Sequence, residues 1–197
     1  MDIRNRKDAW NDRFELALYI LAVVCFVYFL IRGNPEKVFH AALTMFVLLG
    51  IRLVARWTKT AMFPALRFSV LLFLFVTMFV AKQFGFYSVI PYLDKIEHLF
   101  SGVILSFVGL LMYRKMDQAG QAAVVNWRLA VWFSLFFAVA MAGCWEIFEF
   151  TTDRLFGLNS QNGSLVDTMM DIICGTVGAA ASVPFLAKEA KTERIAI

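Results

Sequence analysis

The chain has little from which to build a cross-linked or nucleic-acid-binding protein. It holds three cysteines, Cys25, Cys144 and Cys174, each inside an apolar run. Their odd number and the lack of metal-type spacing exclude a disulfide framework. Charged residues make up only 17% of the chain, with a net charge of +4. A basic balance can point to nucleic acid. Here the basic residues stand in short juxtamembrane clusters rather than a continuous stripe, so nucleic acid is excluded as a partner. There is no internal repeat, no low-complexity tract and no polar stretch suited to a soluble domain. The first apolar run is too long for the core of a cleaved signal peptide and lacks a clear small-residue cleavage site, so it reads as an uncleaved span.

What the chain does have is hydrocarbon-compatible sequence. Sixty per cent of it is hydrophobic, against about 45–50% in soluble domains. A helix needs about 20 apolar residues to cross a bilayer. Such runs lie at about 14–31, 38–54, 65–84, 95–113, 128–150 and 165–186. They predict an all-α polytopic membrane protein, one six-helix transmembrane domain over residues 1–197. Arg32 to Pro35 forms a tight turn between the first two spans. Pro64 opens the third, where a missing N–H costs little. Gly85 to Leu93 is too short to cross, and its aromatic residues suit an interfacial loop or half-helix. Asn126 and Trp127 mark the start of the fifth span, and Asn159 to Gly163 is a turn before the sixth.

Loop charge predicts the orientation. Five of the 19 lysines and arginines, namely Arg32, Lys37, Lys82, Lys95 and Arg154, fall on one side, and the other 14 on the side of the termini. Both termini are therefore expected in the cytoplasm.

Against this background the acidic residues cluster at one end of three spans. They are Asp94 and Glu97, with His98; Glu146, Glu149 and Asp153; and Asp167 and Asp171. The predicted orientation puts them in the outer half of the membrane. Each ionisable group at a helix centre costs about 2.5–3.5 kcal/mol on insertion scales. Such groups persist when they pair, bind an ion or do chemistry. Some have a local explanation. Asp94 with Glu97, and Ser164 with Asp167, have capping-box spacing at helix starts. Asp153 is placed to pair with Arg154 at the water edge. The others resist this treatment. His98 lies one turn from Asp94 on the same face, where a carboxylate orients an imidazole. Glu146 and Glu149 share a face near a helix C-terminus, where the dipole disfavours negative charge. Two adjacent carboxylates repel, which calls for a shared proton or a cation. Asp171 lies about 10 Å into its helix at 1.5 Å per residue. Glu146 is about as deep and His98 slightly shallower. Gly102, Gly175 and Gly178 give the fourth and sixth helices small-residue faces that permit close approach. His40, the only other histidine, is read as having no acidic neighbour and as structural.

At these residues the chain resembles a known family. The run from Asp94 through Lys95, Ile96 and Glu97 to His98 is one part. Trp145-Glu146-Ile147-Phe148-Glu149 is the second, and Asp167-Thr168-Met169-Met170-Asp171 with Gly175-Thr176-Val177-Gly178 the third. Together they resemble the YjdF-like bacterial inner-membrane proteins and, more distantly, the VanZ-like proteins associated with glycopeptide resistance at the cell envelope. The resemblance covers about residues 94–182. It implies a bacterial cytoplasmic membrane and weight on His98, Glu146, Glu149, Asp167 and Asp171. It implies no reaction.

Carboxylates with one imidazole suit Mn, Fe, Zn or Mg rather than Cu(I). The leading expectation is therefore a divalent-metal site with His98, Glu146, Glu149 and Asp171 as ligands and Asp167 or Glu97 as general base. It would bind or act on an envelope lipid by polarising a phosphoryl or acyl oxygen or by generating hydroxide. Cys174, one turn from Asp171, is expected to be structural. A cation or proton-coupled transporter is the second reading, and a structural protein with a protonated acid network the third. Transport ranks lower because the other halves of these helices offer few polar groups, such as Ser106, Ser134 and Thr176. A homo-oligomer is compatible with each.

Overall fold

The computed structural model describes residues 3–57, 62–119, 126–161 and 163–192. Among these the chain is helical, without strands, and six helices are long and apolar enough to cross a membrane. They are α1 (Ile3–Ile31), α2 (Pro35–Trp57), α3 (Pro64–Leu74, continued as a π-helix over Phe75–Gln83), α4 (Leu93–Ala119), α5 (Trp127–Phe156) and α6 (Leu165–Thr192). All six expected spans are present, and the helices extend past most of the apolar runs. Hydropathy marks the part of a helix that suits hydrocarbon, whereas hydrogen bonding continues into the polar ends. The chain forms two compact units, Met1–Leu93 and Asp94–Ile197.

In the first unit, α1 and α2 form the expected hairpin. Gly33 takes a left-handed φ of 67° in the turn, and the Asn34 side chain accepts from Lys37 N at 3.1 Å to start α2. Asn11 of α1 donates to the Pro64 carbonyl at 2.9 Å where α3 begins. Farther along the same packing, Glu15 accepts from Arg67 of α3 at 2.5 Å, and Arg52 of α2 stands 3.5 Å away. The third span is not uniform. Its second half widens to π geometry, with Phe84 N bonded to the Phe79 carbonyl at 2.8 Å. Lys37 Nζ donates to the Gln83 carbonyl there at 2.8 Å. His40 does have an acidic neighbour: Glu36, one turn before it, brings Oε1 to 3.8 Å from Nε2.

The second unit is a three-helix assembly whose close approach is set by glycine. A Cβ added at Gly102 of α4 would fall on the Gly175 carbonyl of α6, and one at Gly178 on the Leu99 carbonyl. These two helices therefore touch backbone to backbone, as their small-residue faces predict. Gly109 gives α4 similar access to α5, where a Cβ would meet Ser134 Cα at 2.9 Å. Ser106 and Ser182 hydrogen-bond across α4 and α6 at 2.7 Å, and Ser134 bonds the Ala130 carbonyl of its own helix. Toward the far end, Leu110, Ala130, Val131, Leu186 and Ala190 form a buried apolar cluster. Asn126 caps α5, accepting from Arg128 N and Leu129 N at 3.2 and 3.3 Å. That cap is worth about 1 kcal/mol. The direction of the chain returns the start of α4, the end of α5 and the start of α6 to the other end of the unit, where the acidic residues lie.

Candidate carboxylate and histidine site

Helical spacing does the first part of the assembly. Asp94, Lys95 and His98 occupy the first turns of α4, and Asp94 and His98 at i and i+4 share a face. Asp167 and Asp171 repeat that spacing on α6. The glycine contact between α4 and α6 then brings the two faces together. Lys95 Nζ lies 2.5 Å from Asp167 Oδ1, 2.7 Å from Asp171 Oδ1 and 3.3 Å from Asp94 Oδ2. One ammonium thus bridges three carboxylates from two helices.

His98 sits beside this network, 8% exposed. Its Nε2 lies 3.8 Å from Asp94 Oδ1, 3.8 Å from Asp171 Oδ1 and 3.7 Å from Glu146 Oε1. These separations are too long for direct hydrogen bonds. Two ligands that hold one ion at about 2.1 Å stand about 3–4 Å apart. Asp94, His98 and Asp171 each offer one ligand atom, and all three atoms lie within 4.8 Å of one another.

Glu146 enters from α5, 4% exposed. Gln161, in the loop after α5, donates to its Oε2 at 3.2 Å and to its backbone carbonyl at 3.1 Å. The loop is held in turn by Asp153, whose carboxylate accepts from Ser160 N at 2.9 Å and Gln161 N at 3.0 Å. Gln161 fixes one Glu146 oxygen and leaves Oε1 turned toward the imidazole. Among the described residues Oε1 is buried without a hydrogen bond. An unbonded buried carboxylate oxygen is costly, by about 1–3 kcal/mol or more.

Of the four residues expected to converge, His98, Glu146, Glu149 and Asp171, the structure brings His98, Glu146 and Asp171 together and adds Asp94. Glu149 is buried one turn beyond Glu146, outside the close ligand group. Glu97 is buried on α4 at 6% exposure. Asp167 is bound by Lys95, and its N–H is capped by Ser164 Oγ at 3.2 Å, as its spacing predicts. Two readings need correction. Asp153 serves the loop backbone, while Arg154 lies over the Phe150 ring, 5.4 Å from its centroid. Lys95, counted from sequence only among the loop charges of the outer side, has a side chain just 19% exposed at the centre of the acids. The signal for it was one lysine among seven acids; its partners on α6 stand 72 residues away in sequence or more.

In formal charge the acids outnumber the cations here. Asp94, Glu97, Glu146, Glu149, Asp167 and Asp171 gather at the same end of the unit, against the single ammonium of Lys95. Such a site suits a small cation or a positively charged group better than an anion acting alone.

The chain belongs to the family described as predicted membrane protein (DUF2238), whose family model matches residues 14–191. No curated protein and no solved structure matches it.

Proposed function

We propose that this member of a membrane-protein family holds a divalent cation in the outer half of the bilayer, and that the site binds or acts on an envelope lipid. The observation that carries the reading is the ligand group of Asp94, His98 and Asp171, with the unbonded Glu146 oxygen 3.7 Å from the imidazole. One nitrogen and three carboxylates suit Mn, Fe, Zn or Mg. Glu149, one turn from Glu146, is a further ligand or a source of negative charge that favours the cation. Asp167, held by Lys95, and Glu97 are the candidate general bases. The cation would supply Lewis-acid polarisation of a phosphoryl or acyl oxygen. Lys95 would contribute a second positive contact for an anionic headgroup. Apolar side chains beside the site, including Phe100, Ile147 and Val166, are exposed at 56%, 67% and 72%, which suits lateral access from lipid. The likeness to YjdF-like and VanZ-like proteins supports a bacterial cytoplasmic membrane, and the loop charge bias supports both termini inside.

The test is metal content in detergent-purified protein. Wild type should carry about one ion per chain, an expectation from the donor set. A Glu146→Gln, Asp171→Asn double variant should lose it and melt at a lower temperature, because binding to the folded state is lost. Metal-free wild type whose melting point ignores Mn²⁺, Zn²⁺ and Mg²⁺ would overturn the reading. A second reading would then stand, a metal-free acid network neutralised from within. The distances of Lys95 Nζ to three carboxylates favour it. Transport ranks third, because Ser106 and Ser182 satisfy each other rather than opening a polar path; ion flux in liposomes would revive it.

A further inference from the structure

The first unit carries a separate feature, and its interpretation does not rest on the acid site. A cavity of about 380 Å³ lies among α1, α2 and α3. That volume falls within the range of about 300–1,000 Å³ typical of small-molecule sites. Its polar lining is Arg52, Arg56 and Arg67 with Asp8 and Glu15. Its apolar lining includes Leu48, Ile51, Val70 and Leu71.

The three arginines are not equivalent. Arg67 is committed, to Glu15 at 2.5 Å and to Asp12 at 2.7 Å. Arg52 makes one contact with Glu15 at 3.5 Å, and its side chain is 60% exposed. Arg56 makes no ion pair or side-chain hydrogen bond among the described residues. Arg52 and Arg56 stand one turn apart on α2, where like charges repel unless an anion lies between them. Guanidinium pairs are well shaped for phosphate oxygens. With Arg67 neutralised by Glu15 and Asp12, Arg52 and Arg56 are the guanidinium groups in the lining that are left to meet an anion. The apolar wall beside it accepts hydrocarbon rather than water.

We infer that this cavity binds a phosphorylated amphiphile, with its phosphate on Arg52 and Arg56 and the start of its acyl chain along Leu48, Ile51 and Val70. Glu15 and Arg67 form the fixed floor of the site, and Arg56 is its least committed donor.

Native mass spectrometry of the full chain released from detergent tests this with three probes. Phosphatidylglycerol carries phosphate and chains, diacylglycerol carries chains alone, and inorganic phosphate carries the anion alone. One phosphatidylglycerol per chain should survive activation that strips diacylglycerol. Millimolar inorganic phosphate should not displace it. Arg56→Gln breaks no contact made by the described residues, and should weaken retention by about tenfold, the scale of one charge-assisted phosphate contact. Arg52→Gln should act in the same direction. Equal retention of diacylglycerol, displacement by inorganic phosphate, or wild-type retention in Arg56→Gln would each overturn the inference.

Discussion

Lys95→Met removes the cation from the acid network while keeping an unbranched side chain of similar length. The geometry sets the cost. Lys95 Nζ faces Asp167 at 2.5 Å and Asp171 at 2.7 Å, and the Asp171 side chain is only 3% exposed. Asp94, at 3.3 Å with a side chain 34% exposed, is better solvated and contributes least. Breaking a buried pair costs about 3–5 kcal/mol. Partial access to water at Lys95 and Asp167 lowers this to about 2–4 kcal/mol. For a chain of this length the loss corresponds to a fall of roughly 4–16 °C in melting temperature. Thermal unfolding in detergent with excess chelator measures it. The two readings of the site diverge on addition of Mn²⁺. If a cation belongs there, Lys95 competes with it for Asp171 Oδ1, so the variant should gain more from Mn²⁺ than wild type does. A variant that melts within about 1 °C of wild type in chelator would refute the reasoning, because the three short contacts would then contribute nothing.

The glycine interlock should be as sensitive as it is narrow. Gly178→Ala places a methyl group on the Leu99 carbonyl and should destabilise by at least about 1–3 kcal/mol, while Gly143→Ala, with open space around it, should be neutral or stabilising by thermal unfolding. Glu15→Gln should cost about 1–3 kcal/mol by releasing Arg67 and Arg52 from a residue 8% exposed, and the loss should shrink at high salt. On a background without native cysteines, Asn159→Cys should react with an impermeant thiol reagent applied outside and Lys115→Cys should not; the reverse pattern would move the acid site to the cytoplasmic face.

The spans were legible because burial in hydrocarbon leaves long apolar runs. The α4–α6 approach was legible because Gly102 on one helix and Gly175 and Gly178 on the other give small-residue faces that permit close contact. His98, Glu146 and Asp171 stood out as ionisable groups at matched depth that helix capping does not explain. Asp94 was harder to judge. Its capping spacing with Glu97 offered a sufficient local explanation, yet its side chain faces Lys95 and His98. The role of Lys95 was hidden because its position at the first residue of the apolar run says nothing of α6. Glu36 beside His40 was present in the sequence at the same four-residue spacing as Asp94 and His98 and went unrecognised. The link of Glu15 to Arg52 and Arg67 spans 37 and 52 residues, and no periodicity records it. Nor does any pattern in Phe75 to Gln83 announce the change to π geometry, which depends on one extra residue per turn rather than on side-chain type.

The most direct test is to ask whether His98 touches a bound ion. Protein stripped with chelator and reloaded with one equivalent of Mn²⁺ should give an electron paramagnetic resonance signal whose pulsed spectrum contains hyperfine coupling to one imidazole nitrogen. His98→Gln should abolish that coupling, and His40→Gln should leave it unchanged. Free aqueous Mn²⁺ in the presence of folded wild type, or a bound signal whose nitrogen coupling survives His98→Gln, would contradict the account.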